Sequence, residues 1–321
     1  ILDSTLKVVD SVEVQLPYYS DAHELLLTAD GYKYVMGYDY RTMNLDTLNA
    51  QGGLPMSKQT IVEGNVIFIL DANDNVVFQW NGFDYFDIGD MDYTNLYDTA
   101  FVDFMHANSI SLDDNGNLIV SLRNFNEVVK INRQDSSIIW RLGGKHSDFT
   151  FVGDTLGGFK LQHHAELLPN GNITILDNGT YHNPPVARAL EYDLDEVNGT
   201  ATLVWEYTNN IESISVGSHQ VLPNGNRLIN WGADIDDFYS PIVEVTDNFE
   251  EVLNIDLPPG YFSYRAFCFD LPWQVQRPEI TCSVANNVVT LDADSGFAQY
   301  FWMHNNALTQ SITISDTGSY Q

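Results

Sequence analysis

The sequence predicts an all-β protein, a six-bladed β-propeller followed by a small, incomplete Ig-like β-segment, and three observations carry that expectation. First, a hairpin-turn signature recurs at long period: Leu27-Thr28-Ala29-Asp30-Gly31, Leu112-Asp113-Asp114-Asn115-Gly116-Asn117, Leu168-Pro169-Asn170-Gly171-Asn172 and Leu222-Pro223-Asn224-Gly225-Asn226. Asn-Gly and Asp-Gly supply the positive φ of tight turns, and β-favouring residues flank each copy. Second, Gly116 and Gly171 lie 55 residues apart and Gly171 and Gly225 lie 54 apart, a spacing that accommodates four short strands per unit. Third, apolar positions show no helical period anywhere.

Taken in order, the units fall at 23–60, 61–105, 106–160, 161–212 and 213–258. The first two share the 85 residues between Gly31 and Gly116, with Asp71-Ala72-Asn73-Asp74-Asn75 as a turn near the middle. The third carries Val128-Val129-Lys130-Ile131 and Ser137-Ile138-Ile139-Trp140, and the fourth matches it with Ala189-Leu190-Glu191-Tyr192 and Ala201-Thr202-Leu203-Val204-Trp205. A sixth blade is expected from Tyr261–Trp273 together with an N-terminal strand Ser11–Leu16, because closure with strands from both termini removes an exposed edge. After Pro278 the texture changes to short alternating runs, Asn287–Asp292, Tyr300–Met303 and Ser311–Ser315. The expected division is therefore a propeller over 1–277 and a truncated Ig-like segment over 278–321.

Composition narrows the function. Forty-four acidic residues against 14 Lys and Arg give a formal net charge of −30. Such a surface repels phosphate backbones and anionic lipids, so no nucleic-acid partner is expected. No apolar run approaches the length of a membrane span. The chain begins at Ile1 without a signal-peptide core, as a processed mature or trimmed chain would. Two cysteines, Cys268 and Cys282, exclude an all-cysteine zinc site and allow one disulfide in an oxidising compartment, pinning the C-terminal segment to the last blade.

Four histidines precede the repeated turns at even offsets: His23 by eight residues, His106 by ten, His163 by eight and His219 by six. Side chains alternate faces along a strand, so the four are expected to share an orientation at the start of the first, channel-lining strand of each unit. His164 has the opposite parity and is expected to face into its blade. Arg123, Arg188 and Arg227 follow the turns of three consecutive units, and a planar guanidinium suits a tetrahedral oxyanion. Imidazoles at a channel mouth serve either a metal or acid–base and nucleophilic chemistry. No His-x-His pair is present and no acidic partners share the register, which favours the second and predicts no metal.

The segments His106-Ala107-Asn108-Ser109-Ile110, Ser121-Leu122-Arg123-Asn124, Ile139-Trp140-Arg141-Leu142-Gly143-Gly144, Gln162-His163-His164-Ala165, Leu176-Asp177-Asn178-Gly179, Ala187-Arg188-Ala189-Leu190-Glu191-Tyr192 and Ser218-His219-Gln220-Val221-Leu222-Pro223-Asn224-Gly225 resemble the bacterial arylsulfotransferase (arylsulfate sulfotransferase) family, in order over roughly 20–275. The resemblance implies a six-bladed propeller and sulfuryl transfer from a phenolic sulfate ester to a phenolic acceptor. It implies no cofactor and no 3′-phosphoadenosine phosphosulfate, and the sequence has no phosphate-cradling Gly-rich loop. It further implies a catalytic set of His106, His163, Arg188 and His219, with His219 as the residue transiently sulfurylated. Arg123, Asn108, Asn178 and Arg227 are the expected substrate contacts. Residues 279–321 resemble the Ig-like modules of type IX secretion passengers, which implies secretion or cell-surface attachment through that machinery. Two rival readings remain: a non-catalytic cell-surface binding propeller, and a metal-dependent hydrolase using the acidic stretches Asp84–Asp92 and Asp234–Asp237.

Overall fold

The computed structural model describes residues 1, 7–50, 53–92, 98–209, 211–234, 241–258, 260–269, 279–285, 288–293, 295 and 309–314. They form two units, Ile1–Cys268 and Phe269–Gln321, and the described residues contain strands and single 3-10 turns but no α-helix.

The first unit is a series of four-stranded antiparallel sheets. β1 (Tyr19–Leu27), β2 (Lys33–Met43), β3 (Thr60–Leu70) and β4 (Val76–Asn81) make the first, with β5 (Phe101–Asp103) added parallel to β3. The second is β6 (Ala107–Leu112), β7 (Leu118–Leu122), β8 (Glu127–Ile131) and β9 (Ile138–Gly143). In the third, β10 (Thr150–Val152) flanks a meander of β11 (His163–Leu167), β12 (Ile173–Asp177), β13 (Arg188–Asp195) and β14 (Thr200–Tyr207). β15 (Ser213–Ser215) precedes β16 (Ser218–Val221) and β17 (Arg227–Asn230), and pairs with β18 (Ala233–Asp234). β16, β17, β19 (Ile242–Val245) and β20 (Glu251–Ile255) complete the fourth sheet.

Each repeated turn does what its sequence requires. Gly171 has φ +89° and Gly225 φ +87°; their N–H groups bond Leu168 O and Leu222 O, and the Leu N–H groups return to Asn172 O and Asn226 O. A non-glycine residue at either position would be strained. Middle strands run apolar on both faces because sheets cover both sides. Val66, Ile67 and Ile69 of β3 and Leu118, Ile119 and Val120 of β7 are fully buried. Each such side chain contributes about 2 kcal/mol of transfer free energy.

The expected boundary between units at 60/61 is not there. β2 pairs with β3 along eleven consecutive residues, from Lys33↔Leu70 to Met43↔Thr60. Residues 23–105 are therefore one sheet with a long excursion between its middle strands, not two blades. Ser11–Leu16 is likewise not a strand: Val12 and Val14 pack on Val35, Val66, Phe68 and Leu70 of the first sheet.

Successive sheets are joined at their innermost strands by side chains that bond the next backbone. Ser109 and Ser111 Oγ accept Ala165 and Leu167 N–H, and His164 Nδ1 accepts the His219 N–H. Ser218 Oγ bonds Ala266 N and O, and Gln220 bonds both polar groups of Cys268. Residues 263–268 thus run beside β16 as a further inner segment. Arg265 then bonds Glu24 of β1 at 2.7 Å, and Glu24 accepts the Ile110 N–H of β6. The circuit β1, β6, β11, β16, 263–268 returns to β1. Residues 270–273 of the expected sixth blade lie outside the described residues.

The second unit contains one antiparallel sheet of β21 (Ile280–Ala285), β22 (Val288–Ala293) and β23 (Ser311–Ile314), with Leu291, Ala293 and Ile312 buried together. The expected strand Tyr300–Met303 lies outside the described residues. Cys268, at the end of the first unit, and Cys282, in the second, are each a free, exposed thiol where the sequence allowed a disulfide.

Candidate active site

Three histidines meet at the starts of adjacent inner strands. The His23 and His106 rings lie 5.0 Å apart and the His106 and His163 rings 5.6 Å apart, both edge to face. β-bulges bring them there. In β1 the register slips between Asp21 and Leu25, leaving His23 inside the irregular stretch. In β6 it slips between Ala107 and Ser109, immediately after His106, whose φ is +53°. In β11 it slips between His163 and Ala165, and the extra residue is His164 at φ +52°. An extra residue turns what precedes it to the other face, which is how bulges re-aim side chains.

His163 is buried and its Nδ1–H donates to Asn178 Oδ1 at 2.7 Å. Asn178 is itself fixed, because its Nδ2 donates to Ser213 Oγ and Val216 O. That assigns the Nδ1–H tautomer and leaves the lone pair on Nε2. Burial, then the His106 and Arg123 charges, hold the His163 pKa well below the ordinary imidazole value, so the ring is neutral at pH 7.

His106 and His23 each carry a carboxylate on Nδ1. Asp103 Oδ2 lies 2.5 Å from His106 and Asp21 Oδ1 lies 2.5 Å from His23. Burial acts to raise the Asp103 pKa, but the His106 hydrogen bond, with the His106 and Arg123 charges, outweighs it and holds Asp103 ionised. Asp21 is anchored by Asn65 Nδ2 at 3.0 Å, while Asn65 Oδ1 accepts the Ala107 N–H. Both histidines are partly open, with side chains 24% and 21% exposed, so the cluster can be reached from solvent. Arg123 opens the 3-10 turn after β7 and donates to Asn124 Oδ1 and Ile214 O, and its charge acts on both His163 and Asp103.

The other expected site residues are used by the scaffold. His219 is fully buried, its Nδ1–H donates to Leu190 O at 3.1 Å, and its ring lies 5.4 Å from Trp205. Burial, then the Arg227 charge, pushes its pKa down to about 3. β16 has no bulge, so His219 opposite Ile229 is the counterpart of Ala165 opposite Ile175, a residue of the core between sheets. Its ring has no contact with His106 or His163. Arg188 has every N–H engaged: Nε and Nη2 on Asp177, Nη1 on Asp154 and Glu206, and Nη2 on Gly158 O. It has no donor left for a sulfuryl group. Arg227 pairs Glu191 at 3.0 Å and also Asp247, with its guanidinium 5.0 Å over Trp205, near the turn end of its sheet. Asn108 is buried between Gln162 O and the His164 N–H. His164, expected on the blade face, is the bulge residue itself and stands 5.2 Å from the Phe267 ring. Of the expected set, the structure brings together His106, His163, Arg123 and Asn178.

Sequence reasoning missed the carboxylates. Asp21-Ala22-His23 and Asp103-Phe104-Met105-His106 place an acid two and three residues before the histidine, and that spacing was readable. Among the described residues, no group of three His, Cys, Asp or Glu is set to hold a metal ion.

The cluster joins one neutral, tautomer-fixed imidazole to two carboxylate-paired imidazoles at the starts of adjacent strands of an all-β chain. The profile of the arylsulfotransferase (ASST) family matches residues 2–246, and the chain belongs to that family. No curated protein matches the chain. Among solved structures, it is similar to a Bacteroides caccae protein of unknown function at 12% identity and TM-score 0.41, over 78% of this chain and 86% of that one. It is also similar to Kuenenia stuttgartiensis hydrazine synthase at 8% identity and TM-score 0.42, over 97% and 67%. A third is PorZ, a surface component of the type IX secretion system of Porphyromonas gingivalis, at 13% identity and TM-score 0.43, over 89% and 33%.

Proposed function

We propose that this enzyme transfers the sulfuryl group of an aryl sulfate to a phenol through a sulfurylated His163, without a nucleotide sulfate donor. The observation that carries the reading is the His163–Asn178 hydrogen bond in a buried site: it holds a neutral imidazole with its Nε2 lone pair available. That nitrogen attacks sulfur, the S–O bond breaks, and its electron pair leaves on the phenolate oxygen. A phenol with pKa near 10 is a tolerable leaving group. His106, oriented by Asp103, gives its Nε2 proton to the departing oxygen. The Arg123 charge, which already acts on His163, stabilises the sulfuryl oxygens in the transition state. Transfer to the acceptor then returns the Nε2 lone pair.

The sheets succeeding one another through their inner strands support a propeller with this site at one mouth. The C-terminal sheet is proposed as an attachment module of a secreted or surface protein. The chemical reading is tested with p-nitrophenyl sulfate in the absence of acceptor. One equivalent of p-nitrophenol should be released per enzyme, and mass spectrometry at neutral or basic pH should find one SO3 on the His163 peptide. Normal turnover by His163→Ala, or an adduct on the His219 peptide, would overturn it.

A further inference from the structure

The reading above uses His163, His106 and Arg123, and leaves the His23–Asp21 pair without a task. His23 is held as His106 is, by a carboxylate 2.5 Å from Nδ1, and its ring stands 5.0 Å from that of His106. Asp21 has a fully buried side chain fixed by Asn65, a degree of support that an incidental surface ion pair lacks. Beside His23 runs a lane of tyrosines. Tyr38 Oη is 3.3 Å from His23 Nδ1, and the Tyr264 ring is 5.7 Å from the imidazole. Tyr40 stands 6.1 Å from Tyr38, and Tyr19 stands 5.4 Å from Tyr40. Tyr19 and Tyr40 are exposed, so the lane leads from solvent to His23. Offset and edge-to-face contacts with such rings favour an aromatic guest.

We infer that the β1–β2 edge is the acceptor subsite: the tyrosine lane binds the incoming phenol and His23, positioned by Asp21, is the base that ionises it. The inference rests on the sulfuryl-enzyme reading. In this half-reaction the phenol O–H proton passes to His23 Nε2 while its oxygen bonds sulfur. The S–N bond to His163 breaks, and its electron pair stays on Nε2. His106 gave one proton to the leaving phenolate and His23 has gained one. The two rings are 5.0 Å apart, so that proton returns across their contact or through water and closes the cycle. Asp21 is a positioning residue and takes no proton.

The experiment separates the two half-reactions in His23→Gln. The burst of p-nitrophenol without acceptor counts folded, competent sites, so later rates are expressed per active site. The expected result is a burst of wild-type rate, with acceptor kcat/KM lowered about 10²–10³-fold for phenol itself. With dinitrophenol, already ionised at pH 7, the loss should be under tenfold. Tyr40→Leu, a change at an exposed position, should raise the acceptor KM several-fold and leave the donor KM unchanged. Loss of equal size for both acceptors, a slowed burst, or no effect of His23→Gln would overturn the inference while the sulfuryl-enzyme reading stands. Absence of a burst in the unaltered enzyme would overturn that reading, and this one with it.

Discussion

At the residue scale, the site depends on which histidines are charged and where their protons sit. His163 and His219 are both buried and both depressed, but the His163 ring stands against His106 and the His219 ring against Trp205. His219 is enclosed by Trp205, and its Nε2 is buried with no hydrogen-bond partner among the described residues. Replacing it with leucine removes a buried polar atom and should leave turnover within about twofold of the unaltered enzyme. The same change alters the pH dependence of stability. The folded-state pKa of His219, about 3, lies below the unfolded value of 6.5. Between those values the unfolded chain binds a proton that the folded chain does not. Its contribution is therefore full above pH 6.5 and lost as pH falls toward 3. His219→Leu should flatten the fall in unfolding free energy between pH 6 and 4 by about one proton, ~1.4 kcal/mol per pH unit. Denaturant melts of both proteins across that range measure it; parallel curves would mean that His219 is not held neutral.

At the element scale, the turns and strands were legible because Asn-Gly and Asp-Gly have one structural use and β-rich runs flank them. The shared face of the histidines was argued from strict alternation, and alternation holds only along an uninterrupted strand. Bulges in β1, β6 and β11 reversed the faces of His23, His106 and His163, while β16, without one, kept His219 in the core. A bulge is set by positive-φ residues such as His106 and His164, which nothing in their type announces. The join of β2 to β3 was hidden for a related reason: the chain between them is long enough to look like further strands. Closure was expected from Tyr261–Trp273 with a strand at Ser11–Leu16. Residues 263–268 link β16 to β1, but through side chains and not a ladder, and Ser11–Leu16 is not a strand. That link can be tested at the Arg265–Glu24 pair, both mostly buried. Arg265→Met leaves Glu24 without that partner and should cost about 3 kcal/mol. Amide exchange should quicken in β1 and in 263–268 more than in β12 or β13. Uniform loss of protection would mean that the pair stabilises the fold without closing the circuit.

At the scale of the whole molecule, a net charge of −30 opposes the donor proposed for the site. An aryl sulfate is an anion, and its approach is slowed by the summed field of 44 carboxylates until it comes within reach of Arg123 and the imidazoles. Salt shortens that field, from a Debye length of ~30 Å at 0.01 M to ~8 Å at 0.15 M. The attraction inside the site acts over a few ångströms between partly buried groups and is screened much less. Raising ionic strength should therefore remove the repulsion and spare the attraction, so donor kcat/KM rises severalfold between 0.01 and 0.15 M NaCl. An acceptor phenol with pKa near 10 is neutral at pH 7, and its kcat/KM should stay constant over the same range. The contrast between the two substrates is the measurement, because a general effect of salt on folding would move both together. A donor kcat/KM that falls with salt would mean that local positive charge at the mouth, and not the acidic surface, governs how the sulfate ester arrives.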